Sequence, residues 1–165
     1  MNFFYFMMYF FLFLYYTILI MLLNKQVIMF IVMVIIGMLF NPMNILAYRI
    51  SDLYISLTLF YGGVLMASNM IWAHEIVHFL SMGHFNGMIF VIGVIMSVSV
   101  SLFLLRKQLF IQDKQWLRRM ISHHSTALTT SHIIYARTSN SRLKKLAKEI
   151  IDTQEKEIQL MKSML

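Results

Sequence analysis

The chain has no cysteine, a single proline and only seven acidic side chains among 165 residues. Without thiols there is no disulfide framework and no thiolate metal ligand, so any soft ligand must be a methionine. No glycine-rich phosphate loop and no nucleophile elbow is present, which removes the commonest nucleotide-binding and hydrolase signatures. No internal repeat or disordered linker is apparent. Charge of either sign is missing altogether from Asn2 to Leu23.

What is there instead is apolar: 59% of the residues are hydrophobic, in long uncharged runs, a composition foreign to an ordinary soluble domain. The chain reads as all-α, with multi-pass transmembrane helices over 1–105 and a C-terminal helical hairpin over 106–165. At about 1.5 Å rise per residue, roughly 20 apolar residues match a hydrocarbon core of about 30 Å. Four spans are expected, at 2–23, 27–40, 53–78 and 88–105. The first two flank Asn24-Lys25-Gln26 as a tight helical hairpin, and the second ends at Asn41-Pro42. Ser51 or Asp52 is the expected N-cap of the third, and Arg106-Lys107 ends the fourth. The first segment exceeds a normal signal core and has no basic residue before it, so it reads as a retained anchor.

Lys25 and Arg49 balance Asp52 and Glu75 before residue 106, so the whole formal charge of +7 belongs to the tail. Such a tail suits a lipid bilayer with anionic headgroups. Nucleic acid fits poorly, since Asp113, Glu149, Asp152, Glu155 and Glu157 interrupt the basic residues and no stacking platform accompanies them. The positive-inside rule puts Arg49 and Arg106-Lys107 on the cytoplasmic side, with Lys25 weakly opposing.

The tail predicts a helix from Asp113 to about Arg137, a turn at Thr138–Ser141 and a second helix from Arg142 to near Leu165. On the second, Leu143, Ala147, Ile150, Gln154, Glu157, Met161 and Met164 follow steps of four and three. On the first, the matching series is Trp116, Met120, His123, Ala127, Thr130 and Ile134, flanked by Leu117, Ile121, His124 and Leu128. Folding them antiparallel sets His123 opposite Gln154 and Met120 opposite Glu157. The cluster Met120, His123, His124, Gln154, Glu157 and Met161 offers imidazole, thioether and carboxylate groups, a donor set for copper, with silver or zinc as alternatives. The same residue types also build a hydrogen-bonded polar layer that fixes helix register, and sequence alone does not separate the two. One apolar seam on a two-helix unit predicts a homo-oligomer through these helices, ferritin-like when paired.

The patterns M-I-x-H-H-x-x-A at Met120 to Ala127 and L-A-x-E-I-I-x-x-Q-x-x-E-I-x-x-M at Leu146 to Met161 resemble the domain of unknown function 305 family. The resemblance implies a ferritin-like helical arrangement and, as in some members, copper or silver handling. It carries over to Met120, His123, His124, Gln154, Glu157 and Met161, with His132 a nearby candidate, and implies no catalysed reaction. Membrane-anchored members have three spans before the domain, which would correspond to about Val27 to Leu105; the segment at 2–23 departs from that plan.

Met66, Met70, His74, His78 and Met82 recur every fourth residue in the third span. At about 100° per residue this row winds around the helix; it reads first as a packing stripe with its histidines at the membrane interface, and alternatively as a ladder that passes a soft cation along the helix. His74-Glu-Ile-Val-His78 also matches H-E-x-x-H, with His84 where a longer zinc-protease motif has its third ligand but Ser81 where that motif has glycine. The leading expectation is a membrane-anchored, non-enzymatic metal-binding protein. The alternatives are an intramembrane zinc metalloprotease using His74, Glu75 and His78, and a structural membrane assembly protein without metal.

Overall fold

In the computed structural model, residues 25–165 are described, and every regular element among them is helical. Helix α1 covers 25–39, followed by α2 (Pro42–Ile45), a 3-10 turn (Ile50–Asp52), α3 (Leu57–Met82), α4 (Gly87–Ser99), a π-helical continuation (Val100–Arg106), α5 (Asp113–Arg137) and α6 (Ser141–Ser163). The expected span at 2–23, and Asn24 of the turn that would follow it, lie outside the described residues; Lys25 and Gln26 are already helical.

Two helical stretches among the described residues are long and apolar enough to cross a membrane, Lys25–Ile45 and Gly87–Arg106. Between them α3 is longer, but Asn69, His74, Glu75 and His78 dilute its apolar character, and it does not meet the same measure. Helix ends follow local chemistry. Asn41 closes α1 by donating its side-chain amide to the Met38 carbonyl (2.8 Å), while its Oδ1 accepts the Asn44 N–H (3.1 Å) and Pro42 opens α2. Residues 53–56 are not helical and Ser56 caps α3 through the Leu59 N–H (3.2 Å), so the cap expected at Ser51 or Asp52 lies one loop too early. Gly83 ends α3 at φ 69°, a left-handed conformation that glycine adopts without a Cβ clash. Asn86 then caps α4.

Small residues set the close helix approaches. A Cβ on Gly63 would come within 2.6 Å of the Val34 carbonyl oxygen of α1, and one on Gly93 within 2.9 Å of the Trp72 nitrogen of α3. Of the neighbouring pair Gly62-Gly63, only Gly63 makes such a close approach, since a Cβ on Gly62 meets nothing within 4 Å. Between the π segment and α5 the chain reverses through Gln108 (φ 51°) and Phe110 (φ 61°), a strained pair of non-glycine positions held by the Tyr61 hydroxyl, which donates to the Leu109 carbonyl (2.9 Å).

The C-terminal hairpin matches its expected bounds closely, with Asp113 and Arg137 at the ends of α5 where the helix dipole favours each charge. Asn140 caps α6 by accepting the Arg142 and Leu143 N–H groups (3.0 and 3.2 Å). Its core, however, is Leu117, Ile121, Leu128, Ile151, Ile158 and Met161. Ile151 and Ile158 belonged to neither expected series, while Leu117, Ile121 and Leu128 were expected beside the seam and Met161 within it. Trp116, Ile134, Leu143 and Met164, expected within it, are exposed. The physical reason is a third layer: the loop from Asn41 to Ser56 lies against α5, and the inner face turned toward it carries small polar residues that periodicity of apolar side chains does not detect.

Candidate metal centre and the loop that orients it

Ser122 and Ser125 flank His123-His124 and are buried under the 41–56 loop. Ser122 Oγ donates to the Asp52 carbonyl (2.8 Å) and accepts the Tyr54 N–H (3.3 Å). Ser125 Oγ donates to Asp52 Oδ2 (2.7 Å) and accepts the Tyr48 N–H (2.9 Å). Asp52 is fully buried, and its other oxygen accepts from Lys162 Nζ at 2.6 Å. One carboxylate thus joins the loop to both hairpin helices. Arg49 pairs with Glu155 on the more exposed rim, and Leu57 donates its N–H to Gln115 Oε1 (2.9 Å). None of these partners stood out in the sequence. The signal that would have found the face is the polar row Ser122, Ser125, Thr129 and His132, spaced three, four and three along α5.

The loop consumes one side of α5 and leaves the histidines on another. His123 is exposed and His124 half-buried, their ring centroids 5.9 Å apart. His124 Nδ1 lies 3.1 Å from Glu157 Oε2, so Glu157 faces His124 rather than Met120, a shift of about one helical turn from the expected register. Gln154 Nε2 is 3.5 Å from the same oxygen. Met161 is buried and Met120 packs against the same core. Four of the six expected residues (His123, His124, Gln154 and Glu157) form one chain of neighbours, with Met120 and Met161 one helical turn from His124 and Glu157 along α5 and α6.

Despite its short approach to Glu157, His124 Nδ1 makes no hydrogen bond of acceptable geometry while being shielded from solvent. Burial pushes the His124 imidazole below its usual range; Glu157 opposes that and His123 adds to it. That shift favours the neutral imidazole, in which one ring nitrogen carries a lone pair. Among the described residues no three His, Asp or Glu side chains come together as they stand around one metal position. The donor types present are those a soft metal takes: an orphaned imidazole nitrogen and a carboxylate, with a thioether one helical turn from each, Met120 from His124 and Met161 from Glu157.

His132 stands apart. Its ring stacks on Tyr48 (centroids 4.8 Å, 13° between planes) and its buried Nε2 has no hydrogen-bond partner. In α3, His74 and His78 stack at 5.9 Å and His78 meets His84 edge to face at 5.7 Å. His78 Nδ1 contacts the His84 carbonyl (3.0 Å). Glu75 is buried, and its Oε2 accepts the Asn86 N–H at 3.0 Å, fastening the turn into α4. Met66, Met70 and Met82 are exposed on the surface of α3.

These features define a class: an all-helical chain in which a C-terminal α-hairpin, bearing a His/Glu/Met cluster, is seated on apolar helices by their connecting loop. Residues 105–165 match the family model described as domain of unknown function (DUF305). An uncharacterized protein of Acanthamoeba polyphaga mimivirus is 38% identical over 125 residues, 76% of this chain and 81% of that protein. The chain belongs to the domain of unknown function 305 family. No solved structure matches it.

Proposed function

We propose that this protein is a multi-pass, membrane-anchored metal-binding protein that holds copper, or a like soft ion such as silver, through Met120, His123, His124, Gln154, Glu157 and Met161, without turning over a substrate. The observation that carries the reading is the shielded, unpartnered His124 Nδ1 beside Glu157, with Met120 and Met161 one helical turn away on the same two helices. A bound ion would give that nitrogen the partner it lacks; the protein's part is to keep the imidazole neutral and to hold the carboxylate within reach. Membrane placement is supported by the two apolar helical stretches and by the basic tail, which suits anionic headgroups. Self-association is supported by the exposed row of Trp116, His123 and Ile134, beside Leu143, Leu146 and Leu160 on α6. Pairing two hairpins there would bring two copies of the cluster together.

The test is metal content of the full chain after Cu(I), Ag(I), Cu(II) or Zn(II) exposure, with and without replacement of His123 and His124 together by alanine. The expected outcome is stoichiometric Cu(I) or Ag(I) lost in the double variant. Equal metal in both forms would move suspicion to His74 and His78, and no uptake by the wild type would end the reading. Because burial depresses His124, acidification should release the ion only below the ordinary imidazole value of about 6.5, as followed by a chelator titration. By the same sign, the stability this group contributes is full above about pH 6.5 and declines as pH falls toward the lowered folded value.

The zinc-protease alternative requires Glu75 to activate water, yet its carboxylate is buried and accepts the Asn86 N–H. Glu75→Gln separates the two readings: it keeps an acceptor for Asn86 and should leave tail metal binding intact, whereas a protease would lose activity.

A further inference from the structure

Where α1 ends, a cleft of about 400 Å3 opens between α2, the first turns of α3 and the side of α5. That volume falls within the range of about 300–1,000 Å3 usual for ligand sites. Phe40, Met43, Leu59, Gly62 and Met66 give it apolar walls, and Asn41, Thr58 and Arg119 are its polar lining, Asn41 being already engaged by the Met38 carbonyl and the Asn44 N–H. Thr58 and Arg119 lack partners among the described residues. The Thr58 hydroxyl is shielded from solvent with no hydrogen bond, and Arg119 has no carboxylate within ion-pair reach among the described residues, while residues 1–24 contain no acidic side chain to supply one. Burial lowers the Arg119 guanidinium and no neighbouring anion offsets it, although a guanidinium stays charged under all ordinary conditions. Thr58 also lies in the first turn of the 26-residue α3, where the helix dipole favours an anion.

A half-buried cation without a counter-charge, an orphaned hydroxyl and a helix N-terminus all ask for the same group, an anionic oxygen cluster. The apolar walls below them ask for hydrocarbon. We propose that this cleft binds one anionic phospholipid, with its phosphate on Arg119 and Thr58 and an acyl chain running along Leu59, Gly62 and Met66. The site lies at the end of the apolar Lys25–Ile45 stretch, where a headgroup would be met if that stretch spans the bilayer. Gly62 contributes space: a Cβ there meets nothing within 4 Å, so larger side chains can enter the cleft without disturbing α3.

The inference rests on the membrane placement proposed above, and the two fail differently. Release of the chain from membranes by alkaline carbonate would overturn the placement. For the site itself, the full chain is reconstituted in nanodiscs of phosphatidylcholine with or without phosphatidylglycerol, and retained lipid is read by native mass spectrometry after detergent exchange. The wild type should keep one phosphatidylglycerol per chain. Arg119→Gln and Gly62→Leu should each lower retention about fivefold or more, the scale expected for one interfacial charge. Arg119→Lys should retain most of it, and Lys145→Gln, on an exposed part of α6, should change nothing. Equal retention in Arg119→Gln and wild type would overturn the proposal, as would an equal loss in Lys145→Gln, which would mark diffuse attraction. Displacement by equimolar inorganic phosphate would also overturn it, because the acyl chain would then contribute nothing.

Discussion

Asp52 carries the most structural consequence of any single side chain. It is fully buried and its two oxygens accept from Lys162 and Ser125, so removing it strands a partly buried ammonium and a buried hydroxyl at once. Breaking such a pair from one side costs about 3–5 kcal/mol when both charges are deeply buried. Lys162 keeps a quarter of its side-chain exposure, which puts the expected loss for Asp52→Ala at the lower end. Replacing Asp52 by Asn and Lys162 by Met together should cost less than Asp52→Ala alone. Thermal unfolding of the detergent-solubilised chain measures both, and equal losses would show that the pair is not coupled. His124 differs in kind: nothing in the hairpin satisfies its Nδ1, which makes it the side chain whose surroundings ask for a ligand.

At the scale of elements, the α1–α3 crossing turns on one glycine of a neighbouring pair. Gly63→Ala would drive a Cβ into the Val34 carbonyl and should cost about 1–3 kcal/mol, the usual penalty for overpacking. Gly62→Ala, one residue earlier and free of contacts, should be neutral or stabilise α3 by up to about 1 kcal/mol through helix propensity. Opposite signs for adjacent substitutions, read as shifts in unfolding temperature, would establish the close approach; the same sign at both would refute it. The α5–α6 hairpin was legible in outline because Asp113, Asn140 and the 3-4 spacing of apolar residues are local signals. Its rotation was not, since α6 carries two apolar rows, and only packing distinguishes Ala147, Ile151 and Ile158 from Leu143, Leu146 and Leu160.

For the whole molecule, the unclaimed row predicts how copies meet. Leu160→Glu, placed on the exposed side of α6 away from Ile158, should leave the monomer folded and abolish dimers detected by crosslinking or native mass spectrometry. A strictly monomeric wild type would remove the ferritin-like pairing. Composition and periodicity by themselves determined an all-helical chain, the apolar stretches at 27–40 and 88–105, the bounds of the hairpin and the identity of its His, Glu and Met groups, because these depend on short-range patterns of polarity and capping; the region of α3, expected as a further span, is more polar than those two stretches. Only the tertiary structure decided that a loop distant in sequence seats itself on Ser122 and Ser125, that Asp52 is a buried anchor rather than a helix cap, and that Glu157 meets His124. Those outcomes depend on which of several compatible faces finds a partner, and small hydroxyls let the loop backbone approach one face closely while the histidines are left on another.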